Sequence, residues 1–301
     1  MFGYVRPSVR DLPEEERIPL IEKFRKMYET MDFYVLYNRF LKKEGYQTLP
    51  RRPLEKRKLR YEDVYPVLYL KYRLSRQAER SNIKHLVIDE MQDYSRLQYL
   101  IIRRMFSCKM TILGDRAQTM ADQQQDVLQF LPGIFGKDLR RIEMRKSYRN
   151  TVEIASYAAN LIGVTDLELF ERHGMPVLER DVSDLEAALR EAVDTLFPDE
   201  KTYETAAVIV PDEKTAERAY LILREILAEK DFDCGKRLSW LNRDSSSFKK
   251  GLTVTTFYLA KGLEFDQVFS IFPKDEKREM MMQAQYIAAT RALHELRVYH
   301  I

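Results

Sequence analysis

LVIDEMQD, residues 86–93, is an apolar run that ends on acids. With Ile83 and its neighbours it reads as a short buried strand that carries Asp89 and Glu90 to the C-terminal end of a sheet. That edge is where open α/β folds bind ligands. Downstream, YSRLQYLIIRRMF has helical spacing, and KMTILGD (109–115) is a second buried strand, closed by Gly-Asp. A polar loop and helix follow (QTMADQQQDVLQFL), then LRRIEM (139–144) as a short strand and TVEIASYAANLI as a helix. From about residue 150 the alternation repeats. SDLEAALREAVDTLF is helical, TAAVIV a strand, and DEKTAERAYLILREILAEK a long helix. GLTVTTFY and FDQVFSIF are strands, REMMMQAQYIAATRAL a helix, and ELRVYHI a last strand. Strands alternating with helices of this length predict parallel, doubly wound α/β units.

Upstream of residue 83 the pattern is helical and charged. IPLIEKFRKMYETMDFYVLYNRFLKKEGY carries apolar residues at helical spacing and ends near Gly45. After a Pro- and Arg-rich connection, YEDVYPVLYLKYRLSRQAER gives a second amphipathic stretch, with Pro66 near its start. RRPLEKRKLR (51–60) holds six basic residues against one acid. Such a run is either a solvated face or a contact to a phosphate backbone. A length of 301 residues allows two ordinary domains. The net charge of +3 is too small to imply nucleic acid by itself. Cys108 and Cys234 stand far apart, which argues for a reducing compartment and against a disulfide frame or a zinc site. His85, His173, His294 and His300 have no metal-ligand spacing. No apolar run suggests a membrane span, and the first residues lack a secretory h-region. A cytoplasmic protein is the expectation.

Five blocks carry chemistry. Asp89 at a strand end can hold Mg²⁺ against nucleotide phosphates, and Glu90 can orient and deprotonate a water; the alternative is a polar loop start. Gln118, beyond the second strand, can sense a γ-phosphate; the alternative is a strand-end turn capped by Asp115. In SYRN (147–150), Arg149 can stabilise charge on a transferring phosphoryl group and Tyr148 can stack on a base. The plainer reading is a helix cap at Ser147 or Asn150. In AKGLEF, Gly262 allows a tight turn or the close approach of a ligand, and Glu264 can accept hydrogen bonds from ribose hydroxyls; the alternative is a polar hairpin or crossover loop. In AATRA, Arg291 follows small residues on a helix, and its planar guanidinium suits phosphate oxygens. The alternative is a surface arginine.

Taken in order, DEMQD, LGDRAQ, SYRN, AKGLEF and AATRA resemble motifs II to VI of superfamily 1 helicases of the UvrD/Rep family. The resemblance covers roughly residues 83–301. YEDVYPVLYLKYRL, DEMQDYSRLQY, KMTILGD and YLAKGLEFD look most like the HelD branch, whose members associate with bacterial RNA polymerase. The resemblance implies a RecA-like P-loop NTPase fold with ATP and Mg²⁺ between two lobes. It implies Asp89 as the Mg²⁺ ligand, Glu90 as the general base and Gln118 as the coupling residue. Tyr148 would stack on the adenine, Arg149 and Arg291 would be the two arginine fingers, and Glu264 would contact the ribose.

The Walker A signature, G-x-x-x-x-G-K-[ST], is missing: before Asp89 the chain has only Gly3 and Gly45. The expected organisation is therefore a helical remnant of an inserted subdomain (1–80), the C-terminal part of a first RecA-like domain (81–146) and a complete second one (147–301). On this reading the chain is truncated, Met1 need not be the natural start, and turnover needs an upstream segment carrying Walker A. The aromatic that UvrD/Rep proteins place just after the motif III glutamine, as a platform for single-stranded DNA, is also missing after Gln118. Base stacking contributes roughly 1–3 kcal/mol per base, so its loss weakens a processive-helicase reading. The other function class is a non-catalytic module contacting RNA polymerase or nucleic acid.

Overall fold

The structure is a computed structural model that describes residues 13–26, 30, 32–74, 80, 82–119, 127–136, 139–144, 146–164, 168–197, 203–230, 233–245, 250–274 and 279–301. By internal contacts it divides into two units. Unit 1 comprises Met1–Ile88, Tyr94–Ile112 and Val127–Lys137; unit 2 comprises Asp89–Asp93, Leu113–Asp126 and Asp138–Ile301.

Unit 1 is helical around a two-stranded sheet. The first amphipathic stretch forms two helices, α1 (Glu14–Lys26) and α2 (Phe33–Lys43). Asp32 starts α2 because its side chain accepts from the Tyr34 and Val35 amides, which leaves helix donors satisfied at that point. α3 (Tyr61–Leu74) holds Pro66 inside it. Tyr34, Tyr37, Leu41 and Leu49 form a small core with Leu59, Val67 and Leu70 against them. Within it, the buried Asp63 carboxylate accepts from Tyr37 Oη at 2.9 Å and from Arg60 Nε at 2.8 Å. Burial and that bond push the Tyr37 phenol up to about 12.

β1 (His85–Ile88) and β2 (Lys109–Ile112) pair in parallel, joined through α4 (Arg96–Met105), and α5 (Val127–Phe135) follows. A capping box between Ser95 and Gln98 starts α4. Ile88, Tyr99, Val127 and Leu131 form the local core. The expectation of two buried strands is only partly met: Val87 is 60% exposed and β2 has no buried residue. Among the described residues this sheet has two strands, too few to cover both faces. The polar stretch expected at 120–126 lies outside the described residues. LRRIEM is not a strand; pairing begins two residues later.

Unit 2 contains that short pair, β3 (Lys146–Ser147) with β4 (Glu168–Leu169), flanking α6 (Val152–Leu161). Its main body is a six-stranded sheet. In chain order come β5 (Leu178–Asp181), α7 (Leu185–Asp194), β6 (Thr205–Val210), α8 (Glu213–Ala228), α9 (Cys234–Arg237) and β7 (Leu238–Trp240). β8 (Gly251–Thr256), β9 (Phe265–Phe272), α10 (Glu279–Ala289) and β10 (Ala292–His300) follow. The strand order is β5-β10-β9-β6-β8-β7, all parallel. β6 reads as a continuous apolar run because both its faces are covered. Ala206, Val208 and Val210 pack with α7 and α8, and Ala207 and Ile209 pack with α6 and α10. The chain travels one way along the sheet through α7 and α8 and returns through α10. Right-handed crossovers in opposite directions require opposite faces, which gives the doubly wound α/β fold expected from the alternation.

Among the described residues, no helix is long and apolar enough to cross a membrane.

Candidate functional site

The five blocks converge inside unit 2. Asp89 directly follows β1, and its Oδ1 accepts from the Glu90 amide at 2.8 Å. Glu90 has φ +51°, a left-handed conformation that a side chain adopts only at a cost. A 3₁₀ turn at Met91–Asp93 follows. Gln92 is nearly buried and bridges two blocks: its Nε2 donates to Glu90 Oε2 at 2.6 Å, and its Oε1 accepts from the Asp115 amide at 3.2 Å. Met91 N donates to Leu113 O at 2.8 Å. The two segments lie so close that a Cβ on Gly114 would come within 2.6 Å of the Met91 amide nitrogen.

Asp115 does cap its turn, accepting from Ala117 N at 2.9 Å and Gln118 Nε2 at 3.0 Å. It also accepts from Tyr286 Oη at 2.9 Å, a tie from α10 that the linear reading did not suggest. Burial, then the Asp115 charge, push the Tyr286 phenol well up. Gln118 is buried, and its Oε1 accepts from Arg291 Nη2 at 3.4 Å.

Arg291 is neither on a helix nor on the surface. α10 stops at Ala289, and Arg291 occupies the turn before β10 with 1% exposure. Its fork donates to Ile287 O (3.3 Å), Leu263 O (3.4 Å) and Thr290 Oγ1 (3.1 Å) besides Gln118. Burial, and next the Arg149 charge, lower its pKa; Glu90, Glu264 and Asp115 act the other way. The guanidinium therefore sits in the combined field of four of the blocks. The turn is held by Asn150, whose Nδ2 donates to Thr290 O at 3.3 Å and Ala292 O at 2.6 Å. Asn150 is thus a clasp, and the cap of α6 is Thr151, which accepts from Ile154 N.

Arg149 and Glu264 form an ion pair at 2.6 Å, both about half exposed. An exposed pair is worth about 0–1 kcal/mol, so either partner is released cheaply to a ligand. Glu264 directly precedes β9 and Arg291 directly precedes β10. Both therefore lie at the N-terminal edge of the large sheet. Gly262 turns the loop at φ +76°, with open space where a Cβ would go. Nearby, Lys261 Nζ contacts Asp93 Oδ1 at 2.6 Å. Tyr148 is 59% exposed; its ring lies 5.6 Å from that of Phe170, and Lys146 Nζ is 5.5 Å from the Tyr148 centroid. Sequence reasoning did not find Tyr286, Lys261, Asn150 or Phe170 as site residues. Only the last acid of DEMQD, Asp93, carried a signal toward Lys261.

Five carboxylates (Asp89, Glu90, Asp93, Asp115, Glu264) and four cations (Arg116, Arg149, Lys261, Arg291) stand in these blocks. Among the described residues no group of three or more His, Cys, Asp or Glu side chains could hold a metal by itself. Mg²⁺ does not require one: it is commonly held by one or two carboxylates plus phosphate oxygens and waters, and Asp89 suits that arrangement. Planar guanidinium groups such as those of Arg149 and Arg291 suit phosphate oxygens in general. Nothing in the chain supplies the glycine-rich amide cradle for the inner phosphates.

Residues 10–120 match the family profile described as UvrD/REP helicase N-terminal domain, which supports a UvrD-like, helicase-type protein. No curated protein matches the chain. Among solved structures, the chain is similar to the C-terminal domain of a possible DNA helicase from Lactobacillus plantarum WCFS1. The identity is 24% and the TM-score 0.40, over 52% of this chain and 88% of that one. It is also similar to the PRRSV helicase (17%, TM-score 0.40, 72% and 35% of the two chains). A third likeness is to an arterivirus nonstructural protein 10 helicase (15%, TM-score 0.34, 71% and 38%). The chain spans little more than a third of either viral helicase.

Proposed function

We propose that this UvrD-like, helicase-type chain is one part of a superfamily 1 ATPase of RecA-like build, which turns over ATP together with a separate segment carrying Walker A. The observation that carries the reading is the buried Arg291 guanidinium, set among Glu90, Asp115 and Glu264 with Arg149 beside it. A buried arginine with three carboxylates and a second arginine in its field suits a ligand with concentrated negative charge. Mg²⁺ would supply charge neutralisation on the phosphates at Asp89.

In this proposal Glu90 takes the proton of a water whose oxygen forms the new bond to the γ-phosphorus, while the bond to the bridging oxygen breaks and ADP leaves. Arg149 and Arg291 stabilise the charge on the transferring group. Glu264 exchanges Arg149 for ribose hydroxyls, and Tyr148 offers an exposed ring for the base. Gln118, tied to both Asp115 and Arg291, transmits loss of the γ-phosphate. The three-part organisation at 1–80, 81–146 and 147–301 belongs to the same proposal, as does the finer HelD-type placement with RNA polymerase as partner. The HelD placement rests on the YEDVYPVLYLKYRL wording and on the lack of an aromatic directly after Gln118. Retention of purified bacterial RNA polymerase on the immobilised chain tests it.

The principal test is Mg²⁺-dependent ATP turnover by the chain with and without a polypeptide carrying G-x-x-x-x-G-K-[ST]. The chain alone is expected to be inactive. The pair is expected to turn over ATP, and Arg291→Ala to lower kcat by about 10³ or more. Turnover by residues 1–301 alone, or full activity of Glu90→Gln in the pair, overturns the proposal. A pair that stays inactive favours the non-catalytic module.

A further inference from the structure

Every backbone acceptor of the turn that carries Arg291 is taken. Thr290 O and Ala292 O accept from Asn150 Nδ2 at 3.3 and 2.6 Å, and Arg291 O accepts from Phe265 N at 2.9 Å. Leu293 O accepts from Arg172 Nη2, and the same nitrogen donates to Arg149 O at 2.6 Å. Asn150 and Phe265 belong to the five blocks. Arg172 belongs to none of them; it stands between β4 and β5. Its own backbone is fastened to the same two segments. Arg172 O accepts from Val152 N at 2.9 Å. A Cβ on Gly174 would stand 2.6 Å from Thr151 Cγ2 and 3.2 Å from His294 O. The stretch 172–174 therefore lies against residues 151–152 on one side and His294 on the other.

Arg172 has no carboxylate partner among the described residues, and its Nε is buried without an acceptor. A buried donor left unmet costs stability, so the guanidinium is not placed to satisfy itself. It is aimed by two carbonyls, that of Arg149 itself and that of the residue two places after Arg291. The two hydrogens of one Nη, held in a fixed plane, suit two acceptors at a fixed angle.

We propose, on the reading of Arg149 and Arg291 as the charge-stabilising pair in ATP turnover, that Arg172 is a positioning residue that yokes the Arg149 backbone to the Arg291 turn. Arg149 needs the yoke more than Arg291 does. Arg291 is buried in its own set of bonds, whereas the Arg149 side chain is half exposed and paired with a half-exposed Glu264. Once Glu264 turns to a ribose, that pair no longer orients Arg149, and the position of its backbone becomes the constraint. Arg172 fixes this position relative to Arg291. A misplacement of about 1 Å can cost about 10²-fold in rate, so the yoke acts on kcat rather than on binding.

The test compares Arg172→Met, which keeps the length and loses every donor, with Arg172→Lys, which keeps the charge and can hold one carbonyl. In the chain alone, without nucleotide, amide hydrogen exchange of Arg172→Met should rise roughly tenfold in segments 149–152 and 290–296, the order expected for a lost bond from a charged group. Exchange in β6 should not change. With the Walker A polypeptide, Arg172→Met should lower kcat roughly 10–100-fold and leave KM for ATP within about twofold. Arg172→Lys should recover part of the loss in both assays. Unchanged exchange in the two segments overturns the proposal. A rise that extends equally to β6, together with a lower Tm, also overturns it, because Arg172 then only fastens the fold. So does a parent-like kcat, or a loss carried by KM alone. A parent pair without turnover counts against the proposed function, and the exchange measurement still decides the yoke.

Discussion

Replacing Gly114 by alanine adds one methyl group where the 89–93 and 113–118 segments meet. The added Cβ would stand 2.4 Å from Met91 Cγ, 2.5 Å from Gln92 Oε1 and 2.6 Å from Met91 N. Gln92 Oε1 is the end of a flexible side chain and can turn away, whereas Met91 Cγ, one bond beyond its Cβ, moves only by a change of rotamer. The third is backbone, so the segments must separate until 2.6 Å becomes the 3.4 Å at which ordinary contact begins. Gly114 is not among the positive-φ residues, so alanine meets no backbone strain there and the cost is one of crowding. Separation stretches Met91 N to Leu113 O (2.8 Å), and the swing of Gln92 removes its bond from Asp115 N (3.2 Å). Overpacking costs about 1–3 kcal/mol, and a lost hydrogen bond about 0.5–1.5 kcal/mol. Together these give about 2–4 kcal/mol, or a fall in Tm of about 5–15 °C for a unit of this size. Differential scanning fluorimetry and urea unfolding read it directly. Gly262→Ala is the control: it has nothing within 4 Å and only its φ of +76° to strain it, so it should cost about 1 kcal/mol. A Gly114→Ala protein that melts within about 1 °C of the parent refutes the close approach of the two segments.

Two further outcomes are expected. Glu90→Gly should be more stable than Glu90→Ala by about 0.5–1 kcal/mol in urea, reversing the usual order. Both lose the carboxylate bond from Gln92, and only glycine relieves the φ of +51°; an alanine variant as stable as the glycine one removes the strain argument. The hydrogen bond from His173, with help from backbone amides, depresses Glu153 to about 2 from an ordinary 4.5. A depressed carboxylate stabilises the fold fully above its unfolded value and loses that contribution as pH falls toward the folded one. Stability should therefore decline between pH 4.5 and 2, and His173→Ala should flatten that decline. Superimposable acid limbs for the two proteins in Tm-against-pH scans would remove Glu153 from the account.

Local pattern was sufficient where one segment answers one question. TAAVIV reads as a buried strand because it has no polar face, and it is buried along nearly its whole length. DEMQD and LGDRAQ read as acidic strand ends because an apolar run stops on them. The pattern failed where a neighbour distant in sequence sets the outcome. LRRIEM has strand-like residues but no strand beside it among the described residues, while the polar Lys146–Ser147 pairs because Glu168–Leu169 is there. Asn150 looks like a helix cap in its own context, yet it is spent on carbonyls some 140 residues away.

The sequence by itself determined the doubly wound α/β class and marked out the five blocks proposed to carry chemistry, since both follow from hydrophobic period and residue type over short windows. Tertiary structure alone decided that Arg291 is buried and tied to Gln118, that Tyr286 reaches Asp115, and that Glu264 is paired with Arg149. The reason is one of range. Periodicity is a property of neighbours along the chain, whereas desolvation and the sum of surrounding charges depend on atoms brought together only when the sheet is complete.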